Sequence, residues 1–287
     1  MTCRQYLSAA AALLAALILL PGLAAADSVL DRIAKNGEIR LAYRDDAAPF
    51  SFQAEGAAEP AGYSVDLCRA VAKSVQAQLK LAELKITYVK VTPADRFDAI
   101  TGGKADLLCE ATTATLERRA SMDFSISTFI SGAGMMIQPG GPNSFELLAG
   151  KKIGVLGGTT TEQDLKGFLK ARNIAAAIVA VKGHSEGFAQ LESGALTAYF
   201  GDRTILQYML MKRDQNGKLM LADQFLSVEP YALAMPRDAD FRLAVDRALS
   251  RLFRSGGAKA VFTKTFGEGA HPTGLQSSLF VMSGLPE

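Results

Sequence analysis

Between Asp106 and Ser125 an apolar stretch ending near Cys109 runs into the hydroxyls Thr112, Thr113 and Thr115, and Arg118 follows three residues after Thr115. Thr115 is placed to cap a helix, which puts Arg118 in its first turn. Free hydroxyls, helix N–H groups and a guanidinium gathered at one strand end are the parts that hold a carboxylate. No nucleophile stands beside a base in this stretch, so its chemistry is that of gripping an anion. Arg44, Arg96, His184 and Asp202 each follow an apolar, strand-like run in the same way, and Gly157-Gly158-Thr159-Thr160-Thr161 follows another. In open α/β sheets ligands bind beyond the carboxyl ends of strands, so these residues are candidates for one cleft.

Each has a plainer reading. Arg44 and Arg96 taken singly are surface charges. Thr115 is a helix cap, His184 a structural histidine, and Asp202 a cap for the helix after it. The glycine–threonine run lacks the Lys of a nucleotide-binding loop, which excludes that chemistry. Shared placement at strand ends favours function. Arg44, Arg96 and Arg118 are cations, His184 can become one, and Asp202 is the clear anion. That pattern suits a ligand with two carboxylates and one ammonium, such as glutamate or aspartate, because a neutral ligand would leave a buried guanidinium unpaired.

The elements that must position these residues alternate. Strands are expected at 38–42, 86–91, 105–109, 152–155, 177–181, 196–201 and 232–235, with helices at 65–79, 161–172, 185–192 and 203–212 between them. The stripe Leu67, Cys68, Val71, Val75 and Leu79 marks a core-facing helix. Such alternation implies an α/β protein with mostly parallel sheets flanked by helices. Small and polar residues at 125–134, and Pro230 within 227–231, look like seams. Lobe one is therefore expected over 27–127 and 231–287, and lobe two over 128–230, with two connections forming a hinge. Helices at 238–255 and 257–266 return to lobe one, and an irregular tail follows Gly267.

Residues 1–26 read as a cleavable signal peptide: Arg4, a charge-free apolar run of 14 residues from Leu7 to Leu20, Pro21-Gly22, then Ala24-Ala25-Ala26. The run is short for a membrane span, and Cys3 precedes it, which does not suit a lipid anchor. Cleavage leaves 261 residues with 30 basic and 29 acidic side chains, a balance that gives no electrostatic case for nucleic acid. Cys68 and Cys109 then remain, an even count in an oxidising compartment, and a disulfide between them is expected; two buried thiols are the alternative. With His184 and His271 the only histidines, no metal site is expected.

With those residues in place, the chain resembles the periplasmic substrate-binding proteins of polar amino-acid ABC importers, solute-binding protein family 3, over nearly all of Asp27 to Gly267. Five markers in order carry the resemblance: Pro49-Phe50-Ser51-Phe52, Gly62-Tyr63-Ser64-Val65-Asp66-Leu67, the stretch from Asp106 to Ser125, Gly158-Thr159-Thr160-Thr161-Glu162, and Leu191-Glu192-Ser193-Gly194. Tyr43-Arg44, Arg96, Cys109-Glu110-Ala111-Thr112-Thr113, Glu117-Arg118 and His184 make it most similar to the glutamate/aspartate-binding branch. The resemblance implies a two-lobe type II fold, a monomer without cofactor, a periplasmic location, an amino-acid ligand and a membrane permease as partner. It implies that Arg118 and Thr113, helped by Thr160, hold the ligand α-carboxylate. Asp202 would take the ammonium, Arg44, Arg96 and His184 the side-chain carboxylate, and Phe50 would form an aromatic wall. The pattern breaks at Glu110 (usually Gly), Ala111 (usually Ser), Pro93 (often a small hydroxyl) and Ser64 (usually acidic), so another acidic or polar ligand stays open. Two rival readings are an exported dehydratase-like enzyme using Glu110, Glu162 or His184, and the binding component of a membrane sensor.

Overall fold

Residues 28–214 and 216–287 are described by a computed structural model, and the leader expected over 1–26 lies outside them. The chain runs α1 (Val29–Asn36), β1 (Glu38–Tyr43), β2 (Asp46–Ala47), β3 (Ser51–Phe52), α2 (Tyr63–Gln78), β4 (Lys85–Lys90), α3 (Arg96–Thr101), β5 (Leu107–Leu108), α4 (Leu116–Arg119) and β6 (Asp123–Phe124). It continues with β7 (Phe129–Ile137), β8 (Lys152–Leu156), α5 (Thr160–Ala171), β9 (Ala177–Val181), α6 (His184–Glu192), β10 (Ala198–Asp202), α7 (Arg203–Arg213) and β11 (Met220–Tyr231). It ends with β12 (Ala234–Met235), α8 (Ala239–Arg254), α9 (Gly257–Phe266) and α10 (Gly274–Ser283).

Two five-stranded sheets form two lobes, in the orders β4-β1-β5-β12-β6 and β9-β8-β10-β7-β11. In each, four strands point one way, and the fourth strand in the order (β12, β7) runs against them. That reversed strand is the first to follow a crossing between lobes. The expected stripe of α2 is buried at Leu67, Cys68, Val71 and Val75, and the helix packs on α8. Cys68 and Cys109 are joined by a disulfide.

The two expected seams are strands. Residues 125–134 contribute most of β7, and 227–231 the end of β11; the two pair antiparallel from Phe129↔Tyr231 to Ile137↔Met220. Glycines among the small residues of 125–134 make room for neighbours. A Cβ on Gly132 would come within 2.7 Å of the Phe225 ring. The tail, expected to be irregular, carries α10. Weak apolar periodicity hid it because polar groups dock it. Thr273 caps it at 3.2 Å from the Gln276 N–H. The buried Gln276 accepts from the Ile130 N–H at 3.1 Å and donates to Thr128 O at 3.3 Å, and Ser283 donates to Ser127 O at 3.2 Å. The C-terminal helix thereby straps the first crossing.

Candidate functional site

Strand ends deliver the candidate side chains to one place. β1 leads into Arg44, β4 leads toward the start of α3 at Arg96, and β5 runs into Glu110 and Thr113. From the other lobe β8 leads to Thr160 at the start of α5, β9 to His184 at the start of α6, and β10 ends at Asp202. Local chemistry sets the turns. Thr115 caps α4 by accepting from the Arg118 N–H at 3.1 Å, as its spacing implied. Thr159 caps α5 from the Glu162 N–H at 3.2 Å, and Glu162 reaches back past the cap to the Gly158 N–H at 2.8 Å, a close relative of the capping box.

Arg44, Arg96, Thr113, Arg118, Thr160, His184 and Asp202 line one narrow cavity between the lobes. The lobes touch around it. Thr113 Oγ1 and Thr160 Oγ1 lie 3.3 Å apart, Arg96 Nη2 donates to Gly158 O at 3.4 Å, and the His184 N–H donates to Asp46 Oδ2 at 3.3 Å. Phe50 is a correction. It is fully buried in a cluster of rings, edge-on to Tyr63, Phe129 and Tyr231 with centroids 6.2, 4.9 and 5.1 Å away, and it does not line the cavity. Its place is the apolar core under the hinge, where an aromatic ring gains most by burial.

Three carboxylates belong to the immediate surroundings of the site: Glu110, which the sequence already placed beside it, and Asp46 and Glu229, which it did not. Glu110 is buried between two arginines, pairing with Arg96 through Oε1 and lying 3.6 Å from Arg44 Nη1 through Oε2. Asp46 Oδ1 accepts from Arg44 Nε at 2.9 Å and Nη2 at 2.6 Å. Glu229, on the hinge strand β11, accepts from Thr113 Oγ1, from Thr160 Oγ1 at 2.9 Å and from Ser227 Oγ at 3.0 Å. Asp202 is thus not the site's one anion. Glu110 was visible in sequence as an acid where the family pattern has Gly. Glu229 lies 116 residues from Thr113, and only the closing of the β7–β11 ribbon brings it there.

Arg118 stands apart from the other two arginines. Its Nη1 donates to Thr113 O at 2.8 Å, its guanidinium stacks 4.8 Å from the Phe97 ring centroid, and among the described residues no carboxylate pairs with it. Burial, with Arg96 nearby, pushes Arg118 down to about 10, so it remains a cation. Burial alone would lower Arg44, but Glu110 and Asp46 more than offset this and hold it above its ordinary range. Burial, reinforced by Arg44, holds His184 down to about 3, so this ring is neutral and adds no charge; its Nδ1 lies 3.0 Å from Tyr199 Oη. Burial, then repulsion from Glu229, lifts Asp202 up to about 7, and its buried Oδ1 has no hydrogen-bond partner.

A sequence model of the bacterial extracellular solute-binding proteins, family 3, matches residues 39–268. The chain belongs to that family. It is 32% identical over 248 residues to the L-glutamate/L-aspartate-binding protein of Pseudomonas aeruginosa, covering 86% of this chain and 82% of that one. It is also similar to the structure of an ancestral arginine-binding protein bound to glutamine, with TM-score 0.71 and 27% identity over 80% of this chain and 98% of the other. A third likeness is an ancestral amino acid-binding protein, a precursor of cyclohexadienyl dehydratase, with TM-score 0.72, 26% identity and coverage of 83% and 99%. The two-lobe architecture and the α/β sheets with a two-strand hinge are those of this family.

For this family member, His184 and Asp202 have opposite pH linkage. The unfolded chain protonates His184 near 6.5 and the fold only near 3, so this group's contribution is lost as pH falls through that window. The folded Asp202 takes its proton near 7 and the unfolded one near 3.8, so its contribution grows as pH falls. Each slope is on the order of 1 kcal/mol per pH unit. Urea titrations should therefore find the stability advantage of wild type over Asp202→Asn growing as pH drops from neutrality toward 4; an advantage that shrinks refutes the assignment.

Proposed function

We propose that this chain is the solute-binding component of an ABC importer, exported to the periplasm, and that it captures a polar or acidic amino acid of glutamate or aspartate size by closing its two lobes. One observation carries this reading. Arg118 from one lobe and Asp202 from the other face the same cavity, each without a partner of opposite charge among the described residues of its own lobe. A zwitterion supplies both partners. Its α-carboxylate meets Arg118 and the hydroxyls of Thr113 and Thr160, and its ammonium meets Asp202. Arg44, Arg96 and the neutral His184 surround its side-chain end. Contacts from both lobes favour the closed form, so binding shifts the population, with the β7–β11 ribbon as hinge. The closed shape then docks on a membrane permease.

The three groups that the enzyme reading would use as acid or base are engaged elsewhere, which supports capture without catalysis. Glu110 pairs with two arginines, Glu162 caps α5 and pairs with Lys166 at 2.7 Å, and His184 faces Tyr199. A thermal-shift screen of the common amino acids and dicarboxylates on the mature protein tests the reading. One or more amino acids should raise the melting temperature by mass action, with small-angle scattering showing compaction. If none does so at millimolar concentration, the reading fails.

A further inference from the structure

The charge of the side-chain end is decided inside the protein. Arg44 and Arg96 are both 2% exposed, and each already has a carboxylate partner: Asp46 on Arg44, and Glu110 reaching both. Two guanidiniums face two carboxylates. The concern that a neutral ligand would strand a guanidinium therefore does not apply at this end. Glu110 cannot swing away easily. Thr112 Oγ1 donates to its Oε1 at 2.6 Å, and Ser64 Oγ holds its main-chain oxygen at 2.9 Å. Cys109 beside it is anchored to α2 by the disulfide.

We propose that Glu110 is a built-in counter-carboxylate that sets the ligand's charge class, so that the side-chain subsite takes an uncharged carboxamide, as in glutamine or asparagine, in preference to a carboxylate. This rests on the amino-acid-binding reading above and deepens it. A ligand carboxylate here would be a third anion against two cations, with Glu110 directly behind the two arginines that line the cavity, and like charges at close quarters disfavour it. Hydrogen bonding points the same way. Among the described residues Glu110 Oε2, 3.6 Å from Arg44 Nη1, has no hydrogen-bond donor, and Arg96 Nε has no acceptor; both are shut off from solvent, with Arg96 in the cavity wall and Glu110 behind it. A carboxamide carries one group of each kind, whereas a carboxylate only accepts. A cationic side chain would meet two guanidiniums. At the other end Arg118 and Asp202 remain for the zwitterion, whose charges cancel.

Calorimetric titration of the mature chain near neutral pH with glutamine, asparagine, glutamate, aspartate, lysine and arginine tests this. Wild type should bind at least one amide about tenfold or more tighter than the matching acid. Glu110→Gln keeps the shape and removes the charge, and should move the acid-to-amide ratio toward the acid by about tenfold or more. An acid, lysine or arginine binding as tightly as the amides overturns the proposal, as does an unchanged ratio in a folded Glu110→Gln protein. Should that variant not fold, the wild-type ratio alone decides. Preference for an acid leaves the solute-binding reading intact; absence of binding by every amino acid sinks both.

Discussion

Arg118→Ala is expected to weaken amino-acid binding by roughly a hundredfold or more, while the ligand-free protein melts within a few degrees of wild type. The magnitude follows from what is left behind. The ligand α-carboxylate would still be drawn out of water on closure, but the cavity arginine that, among the described residues, has no protein carboxylate would be gone. Breaking a buried charge pair by removing one partner costs on the order of 3–5 kcal/mol, and each 1.4 kcal/mol is about tenfold. Little of the fold depends on this side chain. α4 is a four-residue helix with no buried residue, and the Thr115 cap uses the main-chain N–H that Ala retains. Arg119→Ala is the control, because that guanidinium lies 5.4 Å over the Phe124 ring on the outside of the lobe. Calorimetry with glutamine and with glutamate should show the Arg118 loss for whichever binds, and less than a threefold change for Arg119→Ala. Equal losses for the two variants would remove Arg118 from the site.

Reducing the disulfide, or replacing both cysteines in Cys68→Ala/Cys109→Ala, should destabilise the protein by about 4 kcal/mol. The bond closes a span of 41 residues, and loop-closure entropy alone then gives a cost of about that size. For a chain of this length the melting temperature should fall by about 10 °C. The span contains β4, α3 and Arg96, and its far end carries Glu110. The crosslink therefore also holds the buried carboxylate against its arginines, and the double variant should bind more weakly than its stability loss explains. Calorimetric melting with and without reductant is the measurement. Coincident transitions would mean that the bond constrains nothing.

The legible part of this structure was local or periodic. The stripe of α2, the Thr115 cap, and the strand–helix alternation are patterns within a few residues of one another, and the physics that forms them acts at that range. Placement of polar residues at strand ends named six residues that line the cavity together, and the family resemblance picked out the seventh, Thr160, from its glycine–threonine run. Phe50 was named as well and went to the core. A Phe beside a polar loop looks the same in sequence whether its ring faces a ligand or four other rings. α10 was illegible because glutamine and serine side chains dock it onto main-chain groups, and no periodic stripe records that.

By itself the sequence determined the alternating elements, the cysteine pair and the identity of the cations, since each is written in neighbouring residues or in composition. Tertiary structure alone decided which groups meet across the cleft. Glu229 reaches Thr113 across 116 residues, Thr160 reaches Glu229 across 69, and Asp46 reaches the His184 N–H across 138. Pairing energy depends on distance in space and on exclusion of water, and neither is defined until the chain has closed on itself.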